Sequence, residues 1–212
     1  MSDSDTAALC LDEARAWTAA RRIATIVAVL VASLSVVSVA TARSRARARA
    51  RGCAEAGTTI AHASRAELQR AVVCLINQQR RRRGLPGLNE NQRLNRSAQG
   101  WTNVMVTHRD FSHGADFSSR ISAVGFDWSN AGENIATGYR TPATVVKAWM
   151  ASKGHCQNIL NPQYREVGTG VSDQSIAGYS TLAGTWTQDF ALLMGQHAPS
   201  GNWGPAEGCP YN

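Results

Sequence analysis

The chain has 212 residues, 43% hydrophobic, 17% charged and 7% aromatic, which suits one globular domain with extra flanking sequence and argues against two full domains. Its net charge of +7 is unevenly placed: residues 1–51 hold 8 of the 22 basic and 4 of the 15 acidic residues, leaving 14 against 11. The folded part is close to neutral, and without zinc-finger spacing or a recognition-helix pattern nucleic acid is not an expected partner.

Residues 1–22 lead into an uncharged apolar run at residues 23–40, preceded by Arg21-Arg22 and followed by the small-x-small triplet Ala40-Thr41-Ala42. That layout reads as a signal peptide or membrane anchor over residues 23–42. As a helix the run spans about 27 Å, short for a bilayer crossing. The lead-in of 22 residues is long for a cleaved peptide, so cleavage and anchoring through residues 23–40 are both open. Arg43, Arg45, Arg47, Arg49 and Arg51 outnumber Arg15, Arg21 and Arg22 on the other side, which by the positive-inside rule favours a cytoplasmic location for the C-terminal side of the run. Cysteine usage points the other way: Cys10 precedes the run, whereas Cys53, Cys74, Cys156 and Cys209 come after it. An exported domain with two disulfides accounts for that arithmetic, and no C-x-x-C pair offers a zinc alternative. Residues 43–63 read as a solvated Ala/Arg-rich linker suited to anionic surface polymer or lipid headgroups.

The domain is expected over residues 64–212. Ser64-Arg65-Ala66-Glu67 is a capping box, followed by Leu68, Ala71, Val72, Leu75 and Ile76 at helical spacing. Arg80 to Arg83 suit a solvated helix C-terminus, with Gly84 as the stop. Leu94, Ala98, Trp101 and Met105 mark a second helix, and Phe117, Ile121 and Val124 a short third one closed by Gly125. Thr141-Pro142 caps a fourth, with Val145, Val146 and Trp149 as its buried face. The period then changes: residues 167–171 and 185–192 alternate as strands. Helices first and strands later predict an α+β fold.

The candidates for chemistry are His113, Glu133 and His155, each expected at an element end beside Gly, Ser or Asn. Two imidazoles and a carboxylate suffice for a zinc-like divalent site or for acid/base work. His108 is out of register for a shared helical metal site, His62 and His197 lie near segment ends, and Trp149 and Trp186 read as core. Cys156 beside His155 could pair a thiol with a base, but the exported context favours a disulfide.

Six motifs occur in order: Phe111-Ser112-His113; Ala131-Gly132-Glu133-Asn134-Ile135-Ala136; Thr141-Pro142 through Trp149-Met150; Gly154-His155 with Asn158-Ile159-Leu160-Asn161-Pro162; Val167-Gly168-Thr169-Gly170-Val171; and Trp186-Thr187-Gln188-Asp189-Phe190. Over about residues 65–195 the chain resembles a bacterial member of the CAP superfamily, the group of cysteine-rich secretory, antigen 5 and plant pathogenesis-related proteins. The resemblance implies a three-layer α-β-α sandwich and an exported protein. It also implies a cleft in which His113 and His155 hold zinc or another divalent ion and Glu133 is a catalytic or water-holding carboxylate. Ser152 stands where many eukaryotic relatives carry a second glutamate, which leaves a dication's charge poorly offset. Asn134 and Gln188 are expected to line the cleft beside Ser152 or to satisfy buried backbone groups.

Proximity along the chain predicts Cys53 with Cys74 and Cys156 with Cys209, one of three connectivities. Two functional classes are expected: a secreted or membrane-anchored module binding a lipid, envelope component or protein, and a metal- or Glu133-assisted hydrolase of peptide or envelope polymer.

Overall fold

The computed structural model describes residues 52–198 and 208–209. The apolar run, Cys10 and the arginine tract lie outside the described residues, and among those described no helix is long and apolar enough to cross a membrane.

The predicted capping box opens α1 (Arg65–Arg81): Ser64 Oγ accepts the Glu67 amide at 3.4 Å and Glu67 Oε2 accepts the Ser64 amide at 2.8 Å. A two-residue strand β1 (Asn89–Glu90) leads to α2 (Gln92–His108), which ends at Arg109 in a left-handed conformation. Asp116 caps α3 (Phe117–Ala123), accepting the amides of Ser118 and Ser119. Then come β2 (Trp128–Thr137), α4 (Pro142–Met150) behind the Thr141 cap, α5 (Lys153–Leu160), β3 (Glu166–Ser172) and β4 (Thr185–Leu193).

One sheet runs β1-β3-β4-β2, parallel between β1 and β3 and antiparallel elsewhere. Successive strand residues face opposite layers. Ala136, Val167, Val171, Trp186 and Phe190 pack with α1, α4 and α5, burying Val72, Ile76, Val145, Trp149 and Ile159. On the other face Ala191 packs with Leu94 of α2 and Ile121 of α3, and Ile135 with Met105. The result is the three-layer α-β-α arrangement expected of the resemblance.

The Val-Gly-Thr-Gly-Val strand lets α2 lie against the sheet backbone. A Cβ on Gly168 would overlap the Leu94 carbonyl carbon and the Asn95 nitrogen, and one on Gly170 the Ala98 carbonyl. That closeness also closes the sheet edge. β1 covers only the start of β3, and helix side chains continue the ladder: Asn95 Oδ1 accepts the Thr169 amide (2.8 Å), Gln69 Nε2 donates to the Thr169 carbonyl (2.7 Å), and Gln99 both accepts from and donates to Val171 (3.0 and 3.1 Å). Exposed strand edges invite further pairing, and this one is capped in cis.

Three expectations are corrected. The folded unit begins at Cys53, not residue 64: Cys53 is disulfide-bonded to Cys74, Ile60 is in the core, and the Ile60 amide donates to the Arg140 carbonyl. The arginine run is not simply solvated, because Arg80 is fully buried and donates to the carbonyls of Pro86, Ile159 and Asn161 at 2.7 to 2.8 Å. It clamps the C-terminal end of α5, where carbonyls lack helical partners and carry partial negative charge. Burial lowers its pKa to about 10, which leaves the cation intact at neutral pH. Finally, Glu133 does not sit at an element end but mid-β2, whereas His155 is in the first turn of α5, at an element end as expected.

Two substitutions test this packing. Gly168→Ala should destabilise the fold by about 1–3 kcal/mol through overpacking against α2. Arg80→Met should cost roughly 3 kcal/mol by stranding the carbonyls it serves. Urea unfolding of each variant checks both; midpoints equal to wild type would contradict them.

Candidate functional site

β2 is the other edge of the sheet, and its outward carbonyls are also held by side chains. Tyr164 Oη donates to Ala131 (3.1 Å), Asn158 Nδ2 to Glu133 (3.0 Å) and Trp149 Nε1 to Ile135 (3.3 Å). A cleft opens beside this edge, with Phe111 of the α2–α3 turn and Tyr179 of the β3–β4 connection on one side and Ala148, Trp149, Ser152 and His155 of the α4–α5 segment on the other. Gly132 belongs to the same construction, since a Cβ there would overlap the Tyr164 hydroxyl.

His113 lies on the turn between α2 and α3, and Trp101 places it. Trp101 Nε1 donates to the Ser112 carbonyl at 2.9 Å, and Gly114, at φ 68°, passes where a Cβ would meet the Trp101 ring at 2.7 Å. The Arg120 guanidinium stacks 3.9 Å from the centre of that ring and donates from Nη1 to the His113 carbonyl at 3.1 Å. Cation–π contact and hydrogen bond together orient the guanidinium toward β2.

Glu133 receives both groups. His113 Nδ1 lies 2.8 Å from Oε1, and Arg120 Nη2 lies 2.5 Å from Oε2. The His113 side chain is 50% exposed and the Glu133 side chain 1%, so His113 reaches solvent while Glu133 stands behind it. With Nδ1 turned to the carboxylate, His113 presents Nε2 outward, the arrangement by which a carboxylate fixes an imidazole's tautomer.

His155 comes from the opposite wall. Burial, and then the charge of His113, lowers its pKa below the usual histidine value, so it is neutral at pH 7. Ser152, the N-cap of α5, makes no side-chain cap and lines the cavity beside His155. Asn134 and Gln188 are fully buried and sit behind the cleft rather than in it. Asn134 Nδ2 donates to the His155 carbonyl (3.2 Å) and to Gln188 Oε1 (3.3 Å), and Asn158 donates to Asn134 Oδ1 (2.9 Å). Asn134 thus satisfies the His155 carbonyl and ties α5 to β2, and Gln188 contacts Asn134 from β4.

The cavity encloses about 330 Å³ between Phe111, Ile135, Trp149, Ser152, His155 and Tyr179. The Phe111 and Tyr179 rings lie 5.5 Å apart. A shallower apolar depression of about 520 Å³ adjoins it, sharing Tyr139 and Ala148 and rimmed by Arg140 and Lys147. Among the described residues no three of His, Cys, Asp or Glu converge on a metal position. Cys156 is bonded to Cys209, and no thiol stands beside His155. His62, His108 and His197 are exposed and take no part. Arg120, Asp189 and Tyr179 belong to the site or its support without standing out in the sequence; for Asp189 the available signal is an acidic residue on a strand phase otherwise filled by Thr187 and Ala191.

The comparisons agree with this fold. YkwD of Bacillus subtilis (strain 168) is 37% identical over 138 residues, covering 63% of this chain and 50% of that protein. The membrane protein YlbC of the same organism is 31% identical over 107 residues, covering 49% and 31%. This chain thus spans half or less of the curated relatives it matches. An extracellular protein of Bacillus anthracis containing an SCP domain superposes with a TM-score of 0.52 at 26% identity, covering 61% of this chain and 44% of that one. An outer surface protein of Borrelia burgdorferi shares the fold at a TM-score of 0.51 and 18% identity, covering 57% and 90%. The family model for the cysteine-rich secretory protein family matches residues 73–190, more than half of the chain, and the protein belongs to that family.

Proposed function

We propose that this is an extracytoplasmic binding module whose cleft takes an amphiphilic ligand, a lipid or lipid-bearing envelope component. The observation that carries the reading is the composition of the cleft: aromatic walls from Phe111, Trp149 and Tyr179 beside a polar end formed by His155 and Ser152, with the His113–Glu133 pair close enough for His113 to act on His155 through its charge. Ligand sites combine an apolar lining with a few placed polar groups in this way. The adjoining depression extends the apolar surface, and Lys147 and Arg140 at its rim suit an anionic group. Two disulfides fit an oxidising compartment, and the Bacillus anthracis relative is described as extracellular.

The hydrolase reading draws less support. A general base has to reach the water it activates, and the Glu133 side chain is 1% exposed with one oxygen on His113 and the other on Arg120. His113 and His155 would hold a divalent ion, zinc first, in an open and weak site, where it would polarise the ligand's polar end. Two neutral nitrogens leave most of the charge uncompensated.

Displacement of a fluorescent fatty-acyl probe from the full-length protein tests the main reading. Ser152→Trp, which fills the cavity from the start of α5, should weaken probe binding at least about tenfold, while Glu133→Gln should leave the probe chemically unchanged over time as in wild type. Undiminished binding by Ser152→Trp, or consumption of the probe by wild type but not Glu133→Gln, would overturn it. Zinc calorimetry should show one weak site that weakens on acidification, as protons compete for the imidazoles, and is lost in the His113→Ala, His155→Ala double variant. Equal zinc binding by that variant would remove the ion from the account.

A further inference from the structure

Asp189 is the most deeply buried acidic residue among those described, at 1% exposure, and it lies directly opposite Glu133 in the antiparallel register of β2 and β4. Cross-strand partners share a face, so two carboxyl groups are set side by side in a buried site. Their surroundings differ. Glu133 has His113 and Arg120 on its two oxygens. Neither oxygen of Asp189 has a donor: Ser97 faces it from α2 without closing a well-formed hydrogen bond, and β3 presents only Gly168 at the paired position. As directly opposed cross-strand residues, Glu133 and Asp189 have Cβ atoms about 4.5–5.5 Å apart, close enough for their carboxyl groups to meet. Two ionised carboxylates are both acceptors and repel; the contact becomes favourable only when a proton lies between them.

We infer that Asp189 is protonated at neutral pH and donates its O–H to Glu133, forming a one-proton carboxyl pair in which Asp189 is the positioning residue and Glu133 carries the charge. This gives Glu133 a third donor, and the carboxylate that orients His113 is gripped from three sides. Only the functional consequence rests on the reading of the cleft as a ligand site: a ligand meets an imidazole whose tautomer is set two residues back, by Asp189 through Glu133. Burial first, and then the Glu133 charge, push the Asp189 pKa well up, while Arg120 and Ser97 oppose them in part. Those groups and His113, through Glu133, are the titratable, charged and hydrogen-bonding side chains facing the pair from β2, α2, α3 and the preceding turn.

Infrared spectroscopy of the full chain at neutral pH, with the aspartate side-chain carbonyls carbon-13 labelled, reads this out without any ligand. One carboxylic-acid carbonyl band should be present, move with the aspartate label and vanish in Asp189→Asn. No such band in wild type, a band that survives in Asp189→Asn, or a band moved by labelled glutamate instead would overturn the assignment. The wild-type label experiment decides the matter even if the variant does not fold.

The pH profile of stability gives an independent reading. The folded pKa of Asp189 stands above the unfolded value of about 3.9, so its contribution is fully present below that value and is lost as pH rises toward the folded one. The side-chain amide introduced by Asp189→Asn would donate a hydrogen to Glu133 with no such loss. The ratio of wild-type to Asp189→Asn unfolding constants should therefore grow with pH across this window, by up to about tenfold per unit. A ratio independent of pH would contradict the proposal. Neither readout uses a fatty-acyl probe, so failure of ligand binding and failure of the carboxyl pair are separate results.

Discussion

A glutamate whose side chain is 1% exposed cannot be left to water, and the cleft is arranged around that requirement at Glu133. Its carboxylate draws Arg120 from α3 and His113 from the preceding turn. Arg120 in turn needs the Trp101 face and the His113 carbonyl to hold its direction. Gly114 is required because the chain passes too close to that same ring for a side chain. One buried negative charge thus dictates a residue on β2, one on α2, one on α3 and two on the turn between them. A buried ion pair of this kind is a costly way to gain stability. Its product is a fixed, half-exposed imidazole whose charge reaches His155.

The sheet makes that placement possible by ending where it does. With only four strands, both edges leave unpaired backbone groups, and in each case helix or loop side chains complete the ladder. At β3 the amides of Asn95 and Gln99, brought close by the glycines, do so together with Gln69 of α1. At β2 the donors are Tyr164, Asn158 and Trp149, and the elements carrying them also carry His155 and Ser152. Satisfying the edge and building the cleft wall are one structural event. The Cys156–Cys209 disulfide fastens α5 next to His155, and Arg80 holds its other end.

Much of this was legible in the sequence, for identifiable reasons. Ser64-Glu67 and Thr141-Pro142 are capping signals whose chemistry is local, and the helices they start are where the sequence places them. β3 and β4 alternate because each has two packed faces of distinct character. β2 hid because Glu133 and Asn134 are both buried, one on each face, and each is satisfied by partners more than ten residues away; alternation reads such a strand as a polar loop. α5 hid because its eight residues include Gly154 and no side-chain cap. The histidines and Glu133 stood out through their motifs, but Arg120 and Asp189 matter only through contacts with Glu133. No spacing along the chain encodes the register that sets Asp189 opposite it. Arg80 is a similar case, since a run of four arginines reads as solvent-facing until α5 is seen to end against one of them.

The central claim is that the Glu133 charge, met by Arg120, organises the cleft. A double-mutant cycle measures it most directly, using urea unfolding of wild type, Arg120→Met, Glu133→Gln and the double variant at neutral pH. Arg120→Met alone should be strongly destabilising because it strands a buried carboxylate, and it should cost far less once Glu133 is neutral, giving a coupling above roughly 1 kcal/mol. Additive effects within about 0.5 kcal/mol would contradict the account.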